Sequence, residues 1–281
     1  MKILVLADLH VDEITDPDYL RRLGEVIRNA GKDADAMIIA GDLAEHAAET
    51  WQPALRWIGT LYPPAKTVIF PGNHDYYGGN LSTLDAQLDQ ICHDAGCSFG
   101  QCKRLVLGDV RVLMTTLWAD LRLFEDYDGH SVKDTIWQAR MMPDYGYGAI
   151  LVGNPERELE PEDTVAVHDL QKCWLISELA KPWSGKTVVI THHAPSAEVA
   201  GAMTPLSPCF ASNLDDLIDR SRPDAWIFGH THRAAELRMP GGTLLCNVSV
   251  GYEDELCQDD LEQRVRRGLI DLGPDVSKAD P

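Results

Sequence analysis

Short apolar runs and amphipathic segments alternate along the first half of the chain. Apolar runs over residues 2–7, 36–42 and 66–75 predict buried strands, because each holds a short block of apolar residues that ends at polar ones. Apolar residues recur at helical spacing in the segments between and after these runs, at 17–30, 51–61 and 81–96. A strand followed by a helix, repeated three times, predicts a parallel sheet.

The second half resumes this alternation after an interruption. A hairpin over 104–118, with its turn at Gly108-Asp109, precedes the interruption. The later pattern predicts a helix over 164–180, a strand over 186–195, a helix over 213–220, a strand over 225–228 and a hairpin over 236–249. We expect a single domain over residues 1–281, with a charged tail at about 258–281 whose end is frayed.

Residues 119–163 form the interruption, and we interpret them as an insertion with little periodicity. Aromatic residues lie in it or at its border, namely Trp118, Phe124, Tyr127, Trp137, Tyr145 and Tyr147. Loops longer than roughly 15 residues are commonly functional lids or disordered segments, and this one holds too many aromatic residues for disorder. We therefore expect the insertion to fold over one end of the sheet, with most of its aromatic residues packing it onto the rest of the chain.

The composition limits the functions that this chain can have. Its 281 residues are 44% hydrophobic, which predicts a packed core. Acidic residues outnumber basic ones by 44 to 25, and the formal net charge of −19 argues against nonspecific nucleic-acid binding. No apolar run approaches the roughly 18 residues that a membrane span needs. Seven cysteines without a secretory signal predict free thiols and a cytoplasmic location.

Polar residues gather where the predicted strands end. They are Asp8 and His10, then Asp42, then Asn73, His74 and Asp75, then His192 and His193, and finally His230 and His232. Ligands of open α/β sheets bind outside the carboxyl ends of the strands, and clustered polar groups need compensation if they are buried. Mixed imidazole and carboxylate groups therefore predict a metal site for Mn, Fe, Zn or Co.

The spacing of the last two histidines carries a further expectation. Residues two apart in an extended chain lie on the same side, so His230 and His232 are expected to converge on one point beyond their strand. Gly229 would let the backbone turn sharply or approach a bound group closely. By the same alternation, His193 is expected to point away from the site that His192 faces.

The motifs D-x-H, G-D, G-N-H-D, H-H-x-P and G-H-x-H occur in this order between residues 8 and 232. As an ordered set they resemble the calcineurin-like metallophosphoesterase superfamily. The resemblance implies an α/β fold, a four-layer α/β/β/α sandwich, around a two-metal centre. It implies that Asp8, His10 and His232 hold one ion, that Asn73, His192 and His230 hold the other, and that Asp42 bridges them. It also implies that His74 sits over the substrate, with Asp75 next to it.

The same resemblance implies the cofactors and the reaction. Two divalent transition-metal ions are expected, with Mn or Fe favoured over Zn or Co. A metal-bridging hydroxide would attack a phosphate ester while both ions hold phosphoryl oxygens. His74 would stabilise the transition state or protonate the leaving oxygen, and Asp75 would orient His74. Glu45 stands where purple acid phosphatases carry a tyrosine ligand, so a ferric–tyrosinate centre is not expected.

Three functions stay open on the sequence alone. The first is hydrolysis of a small-molecule phosphodiester or phosphomonoester. The second is a nuclease or protein phosphatase of the same superfamily. The acidic composition and the lack of basic stretches disfavour the nuclease, and no extra domain suggests a protein substrate. The third is a non-catalytic scaffold, which should have lost ligands or His74, whereas all of these positions are present here.

We expect the insertion to fold over the metal site and to select the leaving group. Four other histidines are expected to lie on the surface or in packed regions and not to bind metal, namely His46, His93, His130 and His168.

Overall fold

The computed structural model describes residues 1–125, 131–146, 149–255 and 260–273. Tyr127, His130 and Tyr147, for which expectations were stated above, lie outside these ranges. The cysteines inside the ranges carry free thiols. No helix in the described ranges is long and apolar enough to cross a membrane.

The order of strands and helices follows the predicted alternation. Within the described residues the strands are β1 Lys2–Leu6, β2 Ala36–Ala40, β3 Thr67–Phe70, β4 Ser98–Phe99, β5 Lys103–Leu107, β6 Val110–Thr115, β7 Leu151–Val152, β8 Arg157–Glu158, β9 Lys186–Thr191, β10 Ala225–Phe228, β11 Glu236–Arg238, β12 Leu244–Asn247 and β13 Leu269–Asp271. The helices are α1 Pro17–Gly31, α2 Ala47–Leu61, α3 Leu84–Ala95, α4 Val132–Ala139, α5 Pro161–Leu179, α6 Asp215–Ser221 and α7 Asp260–Arg267.

The strands form two main sheets. The first has the order β13-β1-β2-β3-β4, in which β1 to β4 run parallel and β13 is antiparallel to β1. The second has the order β11-β12-β10-β9-β6-β5, with a parallel centre and antiparallel edge strands β5 and β11. The carboxyl ends of the parallel strands are therefore the places where loops can build a site.

The two sheets and the helices on their outer faces form four layers, and hydrophobic clusters pack between them. One cluster lies between the two sheets and includes Ile3 and Val5 of β1 facing Val188 and Ile190 of β9. The outer face of the first sheet packs against α1, α2, α3 and α7, and that of the second packs against α5 and α6. This arrangement confirms the predicted α/β/β/α sandwich, because each sheet buries both of its faces.

The insertion holds more regular structure than its sequence pattern indicates. It contains α4, which begins with a capping box between Ser131 and Asp134, and the hairpin of β7 and β8. Backbone hydrogen bonds from Gly78 to Ala149 (2.6 Å) and from Leu81 to Leu151 (2.7 Å) join the insertion to the loop after β3. Elements this short leave little periodicity, which is why the sequence analysis missed them.

Part of the segment predicted as a charged tail at 258–281 has regular secondary structure. Residues 260–273 contain α7 and β13, and β13 extends the first sheet by pairing Ile270 with Ile3. Leu261 and Val265 of α7 are buried against α1 and the sheet. The pattern escaped notice because charged residues occupy most of this short helix.

Replacing Leu261 tests whether these residues belong to the core. We expect Leu261→Ala to lower the free energy of unfolding by about 2–5 kcal/mol, the usual cost of removing a buried leucine side chain. Its neighbour Glu262 is exposed, so Glu262→Ala should change stability by no more than about 0.5 kcal/mol. Urea unfolding of both variants makes the comparison, and an equally small effect of Leu261→Ala would show that α7 is not part of the core.

Candidate metal centre

The predicted site residues come together where the two sheets end. Asp8 follows β1, Asp42 follows β2 and Asn73 follows β3 in the first sheet, while His192 follows β9 and His230 follows β10 in the second. Hydrogen bonds join the two sets of loops. The backbone N–H of His230 donates to both oxygens of Asp8, at 3.0 and 2.9 Å, and Nδ1 of His192 lies 3.0 Å from the carbonyl oxygen of Ala40.

The backbone of these loops is strained. Five of the predicted ligands have a left-handed φ, namely Asp8 (57°), His10 (40°), Asp42 (53°), His230 (66°) and His232 (49°). Residues other than glycine rarely adopt this conformation, which costs on the order of 1–3 kcal/mol each, and such strain clusters at functional sites. The rest of the fold therefore holds these side chains in positions that the local chain would not choose.

Two glycines permit close approach of the backbone to the site carboxylates. A Cβ atom at Gly72 would lie 2.2 Å from Oδ1 of Asp42, and one at Gly229 would lie 2.5 Å from Oδ2 of Asp8. Both distances are shorter than any van der Waals contact, so a side chain at either position would displace the carboxylate. The close approach expected of Gly229 is thus present, although the group that it approaches is a protein carboxylate.

The acidic and imidazole groups form two neighbouring sets of potential metal ligands. The Asp8 group consists of Asp8, His10 and His232, and the Asp42 group consists of Asp42, His192 and His230, each with its ligand atoms within 4.8 Å of one another. Oδ2 of Asp42 lies 3.3 Å from Nε2 of His192 and 3.8 Å from Nε2 of His10, so this carboxylate lies between the two groups.

Asn73 adjoins the Asp42 group. Its Oδ1 atom lies 3.1 Å from Nε2 of His192, and Asn73 is buried. The structure therefore brings all seven predicted ligands into one region.

His230 and His232 do not converge on one point. His230 belongs to the Asp42 group and His232 to the Asp8 group. The expectation from alternation is wrong because both residues have positive φ values, so the chain after Gly229 is not extended. Their separation agrees with the division that the family resemblance implies.

Unpaired ring nitrogens make this region suitable for binding metal ions. Both ring nitrogens of His10 and Nε2 of His230 are buried and have no hydrogen-bond partner within the described residues. Nδ1 of His192 is held by Ala40, and Nδ1 of His232 lies 2.8 Å from Oε2 of Glu255, so Nε2 of each ring faces its group. Buried imidazoles beside carboxylates are the donor set of divalent transition metals, and this set fits two ions.

The electrostatics of the site favour exchange of protons for cations. Burial lowers the pKa of His10 to about 4, and burial likewise lowers the pKa of His230. For His192 and His232, burial is outweighed by Asp42 and Asp8, which raise their pKa values to about 9 and about 10. Without an ion, these two imidazoles are protonated and pair with the carboxylates of Asp42 and Asp8. Metal binding would release the protons, because a ligating imidazole is neutral.

His74 pairs with Glu45 and not with Asp75. Nδ1 of His74 lies 2.7 Å from Oε1 of Glu45, and the His74 ring is 5.0 Å from that of His10. Burial lowers the pKa of His74, but Asp42 and the hydrogen bond with Glu45 outweigh it and raise the pKa to about 9. The prediction that Asp75 orients His74 is wrong, because these residues begin a tight 3₁₀ turn in which adjacent side chains diverge.

Asp75 instead fixes the backbone around Asp42. Its carboxylate is fully buried and accepts hydrogen bonds from four N–H groups, those of Asp42 (2.7 Å), Gly72 (2.8 Å), Ala44 (3.2 Å) and the Trp51 indole (2.7 Å). Burial and the nearby Asp42 carboxylate raise the pKa of Asp75. Asp75 is thus a positioning residue for the loops after β2 and β3.

Aromatic residues and further histidines take several positions around the site. The His193 ring does not point away, since its centroid lies 4.2 Å from that of His230. Tyr77 contacts the His74 ring at 4.6 Å, whereas Trp118 is buried and Trp137 is 70% exposed.

His46 and His93 are exposed and His168 is buried, and none of these three belongs to either group of ligands, as expected.

Three acidic residues that the sequence analysis did not assign contact the site. Glu45 was considered only as the counterpart of a tyrosine ligand. Glu255 accepts from the His232 ring, and Asp144 of the insertion accepts from the Asn73 amide at 2.8 Å. Glu255 and Asp144 belong to no recognisable motif, and they lie 23 and 71 residues from their partners. Only the fold brings them close.

An open cavity of about 570 Å³ borders on His10. The Tyr252 ring stacks on the His10 ring at 4.3 Å and forms part of the lining. The remaining lining residues are Leu9, Glu13, Ile14, Thr15, Glu253 and Asp254. The cavity is large enough to take the organic part of a small ester next to the Asp8 group.

Comparison with known proteins defines the class of this chain. The family model of the calcineurin-like phosphoesterases matches residues 1–234, and the chain belongs to this family. Two curated relatives from Helicobacter pylori strains, both named as metallophosphoesterases, are 33% and 32% identical over 88 and 91 residues, which is 30% of this chain in each case. The matched stretches span 23% and 24% of these relatives' own length.

Solved structures show the same fold. A phosphopantetheinyl hydrolase from Mycobacterium tuberculosis aligns with a TM-score of 0.69 at 19% identity, covering 100% of this chain and 98% of its own. A dimetal phosphatase from Danio rerio aligns with a TM-score of 0.51 at 15% identity, covering 88% and 86%. The recognition of the family and the four-layer fold are thereby confirmed.

Replacing Glu45 tests its partnership with His74. We expect Glu45→Gln to lower kcat for esters with poor leaving groups by roughly 10–100-fold, because a neutral amide stabilises the imidazolium less than a carboxylate does. Glu49→Gln is the matched control, since Glu49 is an exposed carboxylate in the first turn of α2. Steady-state kinetics on one substrate series compares them, and equal kcat values for the two variants would contradict the partnership.

Proposed function

We propose that this chain is a dinuclear-metal phosphohydrolase that cleaves a small-molecule phosphodiester or phosphomonoester. The observation that supports it most is the position of Asp42 between two groups of buried metal-ligating side chains. In this proposal the Asp8 group holds one ion, the Asp42 group with Asn73 holds the other, and Asp42 is shared. Mn or Fe is the favoured metal for such mixed imidazole and carboxylate ligands.

The bound ions would supply Lewis acidity, which activates water and neutralises charge on phosphoryl oxygens. The chain itself determines the charge of the site. Asp8 and Asp42 are the two carboxylates among the seven ligands, while Asn73 and the ligating imidazoles are neutral. Two dications against two carboxylates leave a net positive centre, which attracts a phosphate ester although the whole chain has a formal net charge of −19.

His74 is the proposed acid for the leaving oxygen. Its side chain is 22% exposed, so it can meet a bound ester, and its bond to Glu45 fixes the ring beside the Asp8 group. In the metal-free protein burial lowers its pKa, but Asp42 and the hydrogen bond with Glu45 outweigh burial and raise it. A positioned imidazolium can stabilise negative charge on the phosphoryl group or transfer its proton to the departing alkoxide.

In this proposal the organic part of the ester lies in the cavity beside His10 and Tyr252. This cavity adjoins the proposed phosphate position. The similar structure from Mycobacterium tuberculosis is named a phosphopantetheinyl hydrolase, so a phosphopantetheinyl ester is one compound worth testing. A nuclease or protein phosphatase of the same family is the alternative, and the acidic composition argues against the nuclease.

A panel assay tests the proposed reaction. Metal-free protein is supplied with Mn²⁺ and assayed on aryl phosphate monoesters and diesters, cyclic nucleotides and a phosphopantetheinyl ester. We expect turnover of at least one small ester that depends on added metal and is abolished by a chelator. Metal binding without turnover of any ester in the panel, together with cleavage of single-stranded DNA or of a phosphopeptide, would favour the alternative function.

The role of His74 can be separated from metal binding. We expect His74→Ala to retain its metal content and to lose about 10²–10⁴-fold in kcat for poor leaving groups. The loss should shrink for esters such as aryl phosphates with good leaving groups, because these depart without a proton. Measuring kcat against the pKa of the leaving group makes the comparison, and a loss of the same size across the series would show that His74 is not the acid.

A further inference from the structure

We propose that Asp144 is a positioning residue for metal binding, which locks the Asn73 side chain with its oxygen towards the Asp42 group. This inference rests on the proposed function, since it treats Asn73 as a metal ligand. It goes further by assigning part of the metal affinity to a residue of the insertion.

The contacts of Asn73 define one orientation of its amide. Nδ2 of Asn73 donates to Oδ1 of Asp144 at 2.8 Å, while Oδ1 of Asn73 faces Nε2 of His192 at 3.1 Å. An amide has a donor end and an acceptor end, and only the oxygen can ligate a cation. A carboxylate accepts hydrogen bonds and donates none, so a flipped amide would set two oxygens against each other. Asp144 therefore excludes the orientation that cannot bind metal.

The turn that carries Asp144 is itself fixed. Asp144 lies in a 3₁₀ turn, Pro143–Tyr145, whose Tyr145 hydroxyl lies 2.8 Å from the hydroxyl oxygen of Thr164 on α5. The Tyr77 hydroxyl donates a second hydrogen bond to Oδ1 of Asp144 at 3.3 Å. The carboxylate is thus held between the insertion and the loop after β3.

The burial of Asp144 supports a role beyond folding. Asp144 is 6% exposed, and the hydrogen bonds that it accepts from side chains come from neutral groups, the Asn73 amide and the Tyr77 hydroxyl. The nearby His74 imidazole favours the charged form of Asp144, but burial of a carboxylate among neutral hydrogen-bond donors still costs stability, because these donors replace its hydration only in part. A neighbouring centre with a net positive charge would compensate it, which is the situation that two bound ions create.

Metal titration of Asp144 variants tests the proposal without any activity assay. Calorimetric titration of metal-free protein with Mn²⁺ is expected to show two binding steps in the unaltered protein. Asp144→Ala should weaken one step by about 10–100-fold, the usual effect of losing a group that orients a metal ligand, and leave the other step within about threefold. Asp144→Asn should weaken the same step less than Asp144→Ala does, since its carbonyl oxygen can still accept from Asn73, although its NH₂ group no longer excludes the flipped amide.

Tyr145→Phe is the matched control. It removes the hydrogen bond between Tyr145 and Thr164 and so loosens the same turn, but it leaves Asp144 and Asn73 unaltered. Both binding steps should survive in this variant. Equal weakening in Tyr145→Phe and Asp144→Ala would overturn the proposal, because the effect would then come from the folding of the turn. Unchanged affinities in Asp144→Ala would overturn it directly.

A second measurement covers the case in which Asp144→Ala does not fold. NMR relaxation of the Asn73 side-chain NH₂ group in the unaltered metal-free protein reports whether the amide is fixed, with the signal assigned by its loss in Asn73→Asp. A rigid amide is expected, and a mobile one would overturn the proposal. Failure of the proposed function has a different signature, since the unaltered protein would then bind fewer than two ions.

Discussion

The carboxylate of Asp42 is the group on which the architecture of this site depends. It lies 3.3 Å from His192 of the second sheet and 3.8 Å from His10 of the first, and so connects both sets of ligating side chains. The buried carboxylate of Asp75 fixes the backbone of Asp42 by accepting a hydrogen bond of 2.7 Å from its N–H group. Gly72 allows the chain to pass close to the carboxylate. The loops after β2 and β3 are thus shaped around one charged group.

Outer contacts give three of the predicted ligands a defined orientation. Glu255 holds the His232 ring, Ala40 holds the His192 ring, and Asp144 holds the Asn73 amide. These partners come from distant parts of the chain, so the site is assembled only when both sheets, the insertion and the segment before α7 are in place. A site of this kind ties the free energy of folding to the free energy of metal binding, because each ligand must be both positioned and desolvated.

The sequence predicted the order of elements and the residues that meet at the site, because apolar runs ending in Asp, Asn and His mark the carboxyl ends of parallel strands. It misplaced details that depend on local backbone geometry. His230 and His232 separate because their φ values are positive, and His74 meets Glu45 because a 3₁₀ turn directs Asp75 inwards. Asp144 could not be predicted, since nothing near it in the sequence indicates that the insertion returns to Asn73.

The central claim is that two metal ions lie on either side of Asp42. Anomalous diffraction from crystals of metal-free protein soaked with Mn²⁺ tests it most directly. We expect two anomalous peaks, one within ligating distance of Asp8, His10 and His232, the other within ligating distance of Asn73, His192 and His230, and both adjacent to the Asp42 carboxylate. Crystals of Asp42→Ala should lose at least one peak. A single peak, or two peaks that do not contact Asp42 in the unaltered protein, would contradict the claim.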